Sequence, residues 1–103
     1  SANLVSTSKE TEINHPENVV LYQNYPNPFN PVTTISYQLN TTSNVQITIF
    51  SIDGKLVQTL VNEQKPAGLH TIELNGVSLA SGTYLYRLTT PNLTITRKLV
   101  LLK

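Results

Sequence analysis

Residues 44–61 read NVQITIFSIDGKLVQTLV, and this stretch decides the fold class. Val45, Ile47 and Ile49 alternate with Gln46 and Thr48, the two-residue period of a strand that buries one face. Asp53-Gly54 follows, and apolar residues resume at Leu56, Val57, Leu60 and Val61. Asp-Gly between two such runs is a strong short-range hairpin signal. The two strands are therefore expected to be antiparallel neighbours joined by a type I′-like turn.

The same alternation recurs on both sides. Ile35, Tyr37 and Leu39 alternate with Thr34, Ser36 and Gln38; after Pro66-Ala67-Gly68 reverses the chain, His70, Ile72 and Leu74 alternate with Thr71 and Glu73. Residues 83–88 and 93–102 supply two further strands, with Pro91 placed in the turn between them because proline cannot donate to a ladder. Asn75-Gly76 and Ser81-Gly82 punctuate the intervening loop, with Val77 and Leu79 as its expected anchors. No stretch free of Gly and Pro keeps a 3.6-residue apolar period for three turns. The expectation is an all-β, seven-stranded antiparallel β-sandwich of immunoglobulin or fibronectin type III shape. Leu39, Ile47, Ile49, Ile72 and Tyr84 are its expected core, without the Trp and Cys of antibody domains.

At 103 residues the chain fits one domain, a size that buries about 65% of the unfolded surface. Residues 1–18 hold isolated aliphatic residues among small polar ones and are expected to form a linker or terminal margin, leaving 19–103 as the folded domain. Seven basic against six acidic residues give a net charge of +1, too weak a field to hold nucleic acid or anionic lipid. The absence of Cys excludes disulfides, thiol nucleophiles and thiolate metal sites. No run approaches the ~20 apolar residues of a membrane span and no N-terminal h-region is present, so no direct membrane insertion is expected. Either the chain is cytoplasmic or its export information lies elsewhere.

Residues 23–31, QNYPNPFNP, concentrate stiffness in one short loop. Pro26, Pro28 and Pro31 fix their own φ and hold Tyr25, Asn27 and Asn30 out of helix. Asn24, Asn27 and Asn30 recur with the period of polyproline II, which in a regular segment would put their amides on one side. Tyr22, Tyr25 and Phe29 are the expected anchors on the sandwich edge. The loop reads as a preorganised crossover covering one open end of the core, with Pro26, Pro28, Phe29 and Pro31 in structural roles. The functional alternative is a polyproline-type or aromatic recognition patch. No carboxylate lies between Glu17 and Asp53, which disfavours calcium there.

Enzymatic constellations are missing. His15 falls in the expected linker and His70 at a strand start, with no third ligand in view for zinc. Asp53 is accounted for by its turn, Glu63 and Glu73 belong to different elements, and four glycines scattered singly make no phosphate loop. The chain is therefore expected to be neither an enzyme nor a cofactor carrier. Asn40-Thr41-Thr42 and Asn92-Leu93-Thr94 match the N-x-[ST] pattern and mark exposed turns.

Residues 94–103 read TITRKLVLLK. Leu93, Ile95, Leu99 and Leu101 share one parity, interrupted by Arg97, while Lys98, Val100 and Leu102 take the other. A strand apolar on both parities is either a last core strand, covered by more protein, or gripped by a partner.

LYQNYPNPFNPVTTISYQL (21–39), IFSIDGKLVQTLVNEQKPAGLHTIELNG (49–76), LASGTYLYRLTT (79–90) and RKLVLLK (97–103) closely resemble the type A C-terminal sorting domain of the type IX (Por) secretion system of Bacteroidetes and related phyla. The DGK and PAG-to-SGTYLYRL portions are also similar to the immunoglobulin-like domain of flagellar hook-capping proteins. The sorting-domain resemblance implies an immunoglobulin-like domain at the end of a larger secreted cargo. It further implies a cargo signal peptide, recognition by the outer-membrane type IX translocon, and processing by a sortase-like protease. The protein would then be secreted or held at the cell surface after passage through the periplasm. Carried onto this sequence, the family motifs fall on Gly68, on Gly82, Tyr84 and Arg87, and on Lys98, Val100 and Lys103. All but Gly68, which belongs with the structural loop residues, are candidates for translocon recognition. Thr83 stands where the family often has Val. The competing expectation is an immunoglobulin-like accessory or carbohydrate- or surface-binding module of a secreted enzyme, which needs an exposed aromatic platform.

Overall fold

The computed structural model describes residues 19–103; residues 1–18, with the expected linker and His15, lie outside the described residues. Seven strands are present among the described residues: β1 (Val20–Leu21), β2 (Val32–Leu39), β3 (Ser43–Ser51), β4 (Leu56–Lys65), β5 (Gly68–Asn75), β6 (Gly82–Thr90) and β7 (Leu93–Leu101). They form two antiparallel sheets, ordered β1-β2-β5 and β4-β3-β6-β7. The second strand of the central hairpin, β4, stays paired with β3 instead of extending the smaller sheet. That three-plus-four division is the fibronectin type III arrangement of the sandwich.

The alternation read from the sequence sets the core. Ile35, Tyr37 and Leu39 from β2 meet Val45, Ile47 and Ile49 from β3, and Tyr84, Tyr86 and Leu88 from β6. Leu99 and Leu101 from β7 complete it, both fully buried. Ile72, expected inside, is only half-buried, because β5 is the exposed edge of the smaller sheet. On β4, the edge of the larger sheet, Val61 is the only buried residue. There the register slips twice, leaving Leu60 and Val57 without partners on β3, and Glu63 pairs with Lys65 at 2.7 Å. Bulges and charges on an edge strand discourage pairing with a second sheet.

The central hairpin falls where expected, but its turn is not type I′. That turn needs positive φ at both central residues, whereas no non-glycine residue among the described ones has positive φ and Gly54 takes +92°. Gly54 N–H donates to Ser51 O and Ser51 N–H to Lys55 O, each at 2.9 Å, closing a three-residue loop of a type I turn plus a left-handed glycine. Asp53 keeps the negative φ that its Cβ favours, and its carboxylate accepts a hydrogen bond from Ser51 Oγ. That bond holds the carboxyl below its ordinary pKa. In the loop between β5 and β6, Leu79 packs against the core as expected, whereas Val77 is 65% exposed and anchors nothing.

Candidate recognition site at the terminal strand

The outer edge of β7 is held by the proline-asparagine loop. Gln23 Nε2 donates to Lys98 O at 2.8 Å, and Val100 N–H donates to Asn27 Oδ1 at 3.0 Å. Phe29 N–H donates to Val100 O at 2.9 Å and Leu102 N–H to Phe29 O at 3.0 Å, a parallel bridge to Leu101. Four backbone groups of an edge strand are thereby satisfied by residues more than seventy positions earlier. Residues 23–31 act as a strap.

The strap is fixed at its root. Asn24 is buried, and its Nδ2 donates to Pro26 O and Thr33 Oγ1. Asn24 N–H donates to the Tyr86 phenol at 3.0 Å, which in turn donates to Tyr22 O at 2.8 Å. The three asparagines therefore do not share a side, as the polyproline II reading expected. Asn24 points to the strap root, Asn27 reaches the terminal strand, and Asn30 is exposed. All three X-Pro bonds of the strap are cis. Phe29 is its one buried aromatic anchor, 2% exposed, whereas Tyr25 is 81% and Tyr22 41% exposed. A Cβ on Gly76 would lie 3.0 Å from Leu101 Cδ2 and 3.1 Å from Phe29 Cε2, so any larger residue there makes the two side chains give by a few tenths of an ångström. Gly76 N–H also donates to Pro31 O at 2.7 Å.

Burial raises the Tyr86 phenol pKa, against smaller lowering effects of the Asn24 N–H and the Arg97 charge. Tyr86→Phe is expected to cost about 1–3 kcal/mol, because Asn24 N–H and Tyr22 C=O lose their shared partner. Since the folded pKa lies above the ordinary value of 10.0, the neutral phenol's contribution is complete below pH 10 and is lost as pH rises through the folded value. Urea unfolding from pH 7 to 11 should show a shallower alkaline decline for Tyr86→Phe than for the parent, with the residual decline shared by buried Tyr37, whose pKa is raised chiefly by burial, and Lys65, whose pKa is raised by its bond to Glu63.

The sequence-picked residues separate into four places. Arg87, Lys98 and Val100 lie on the outer face of the larger sheet, where Leu85 opposes Lys98 and Thr83 opposes Val100. The Arg87 guanidinium sits 4.6 Å from the centre of the Phe50 ring. Tyr84 faces the core instead, and its hydroxyl donates to Ala80 O at 2.6 Å, four residues upstream. That is the tyrosine corner of immunoglobulin-type sandwiches, with Tyr86 standing two residues on, where antibody domains place a cysteine. Gly82 opposes Leu101 at the open end of β7, and Lys103 is tied there by Ser81 Oγ and by Val77 O. Gly68 opens β5 opposite Leu39. Sequence reasoning singled out Asn24 but not its bonds to Thr33 and Tyr86, and it missed the roles of Gln23 and Arg97; Arg97 Nε donates across the sandwich to Leu21 O at 2.6 Å. Its place on an otherwise apolar parity was the one signal that could have pointed to that bridge.

The family model described as the secretion system C-terminal sorting domain matches residues 23–102, from the first strap residue to the last one whose amide the strap holds. The chain belongs to the type IX secretion C-terminal sorting domain family. No curated protein matches it. In this sorting domain the strap and the terminal strand, which the family match begins and ends on, are one hydrogen-bonded unit. Away from that unit, His70 stacks on Tyr37 at 5.3 Å and reaches Pro66 O. Among the described residues no three His, Cys, Asp or Glu side chains come together to hold a metal ion. An open depression of about 240 Å³ on the larger sheet is lined by Asn44, Gln46, Asn62 and Thr89, with no aromatic face.

Proposed function

We propose that the chain is a non-catalytic signal domain that directs a larger cargo protein across the outer membrane through the type IX secretion system. Residues 19–103 are the sorting domain, and residues 1–18 lead to the cargo. The translocon recognises the domain, a sortase-like protease processes it, and the product is released or retained at the cell surface. Family membership across residues 23–102 is the observation that carries this reading. The outer-face cluster supports a recognition role for Arg87, Lys98 and Val100, since these side chains are displayed without supporting the core.

The test is a reporter carrying residues 1–103 at its C-terminus, directed to the periplasm of a host with this secretion system. The intact fusion should reach the surface or medium. Lys98→Ala, Val100→Thr and Lys103→Ala together should strand most of the reporter in the periplasm while the purified domain still melts cooperatively. Equal export of the triple variant would remove the terminal-strand assignment, and an intact fusion that stays periplasmic would remove the sorting reading.

A further inference from the structure

The strap occupies the position a partner strand would take. An edge strand invites strand addition through its outward N–H and C=O groups. On β7 those at Lys98 O, Val100 N, Val100 O and Leu102 N are already engaged by Gln23, Asn27 and Phe29. The strap also makes few of the contacts that would hold a true strand. It offers one parallel bridge, at Phe29, and Asn27 contributes a side-chain oxygen where a strand would contribute a carbonyl. Proline at 26, 28 and 31 removes three amide donors, so the strap cannot extend the sheet further.

We propose that the edge at residues 98–102 is the partner site, and that an extended segment of the sorting machinery enters it by displacing the strap. This rests on the sorting reading above. The strap itself defines the chemistry that fits. The incoming segment runs parallel to β7, presents an acceptor to Val100 N–H, and two residues later seats an aromatic side chain between Gly76 and Leu101. The loop root at Asn24 and Tyr86 stays in place, so the domain remains folded while the edge opens.

The experiment uses the full chain and Gln23→Ala with Asn27→Ala, which release the two side-chain bonds to β7, and the Gln23 bond to Asn24 Oδ1 with them, while the other Asn24 and Tyr86 bonds of the root and every buried apolar side chain are left in place. Amide exchange at Val100 and Leu102 should quicken by about ten-fold or more in this variant, while Leu99 and Leu101, paired with Tyr84 and Gly82, keep their protection. A synthetic peptide of residues 23–31, QNYPNPFNP, added at millimolar concentration should restore protection at Val100 and Leu102. In the reporter host the loosened variant should be exported faster than the intact fusion. Failure of the peptide to protect, or export of the loosened variant no faster than the parent, would overturn the proposal. If the intact fusion is not exported at all, the sorting reading fails by itself, and the peptide arm still decides whether this edge accepts a strand.

Discussion

Removal of residues 98–103 is expected to abolish the cooperative fold, leaving a chain that melts without a transition and is cut rapidly by protease. Leu99 and Leu101 are both fully buried in the core. Emptying one such leucine site costs about 2–5 kcal/mol, and the truncation also takes away the seat of Phe29 and four strap hydrogen bonds. Against a total stability of about 5–15 kcal/mol, two leucines and an unseated aromatic are enough to erase the native state. The check is circular dichroism and limited proteolysis of the purified fragment 1–97 beside the intact chain. A fragment that melts cooperatively would mean that the sandwich closes without its last strand. Any loss of export on truncation would then report recognition alone; with the unfolding expected here, a C-terminal deletion cannot separate the two, and outer-face substitutions are the informative ones.

Phe29→Ala is expected to be the most damaging single substitution in the strap, costing about 3–5 kcal/mol through lost burial and the cavity left behind. For a domain near one hundred residues that corresponds to a fall in Tm of roughly 15–30 °C. The void opens beside Gly76, which has no side chain to fill it. Gly76→Ala alone should also destabilise, because its Cβ would press on Leu101 and Phe29 at 3.0 and 3.1 Å. In the Phe29→Ala background one of those two clashes disappears. The double variant should therefore cost less than the sum of the two singles, a coupling that denaturant titration of all four proteins measures directly. Strict additivity would show that the ring and the loop are not packed as one unit.

These two sites mark the boundary of what local sequence could tell. The alternations at Val45-Ile47-Ile49 and at Tyr84-Tyr86-Leu88 set strand faces by a period of two, and burial follows them directly. Hairpin position was legible from Asp53-Gly54, but turn type was not. It depends on whether Asp53 adopts positive φ, and the sequence leaves two- and three-residue loops equally open. The asparagine spacing misled for a different reason: local period carries no information about partners beyond the sheet. Asn27 answers to Val100, and that pairing exists only after two sheets have closed. Tyr22 and Tyr25 looked like anchors by residue type, yet Tyr22 contributes its carbonyl to Tyr86, and Tyr25 pairs its backbone with Thr34, leaving both rings outside. The terminal strand was half-read: Leu99 and Leu101 are core, Val100 is half-buried on the outer face, and Leu102 is 55% exposed.

The contacts between strap and terminal strand join residues 71 to 75 positions apart, at Phe29 with Val100, Asn27 with Val100 and Gln23 with Lys98, and Arg97 reaches Leu21 of β1 across 76. Contacts so distant in sequence require closure of a large loop before they reward the chain. A chain interrupted before residue 98 has nowhere to bury Phe29, so an aromatic side chain set in a proline-rich segment stays open to chaperones and proteases. Folding of this domain thus waits for its seventh strand, and the fold works as a proofreader: only a polypeptide that has kept that strand can hide the aromatic side chain of its strap.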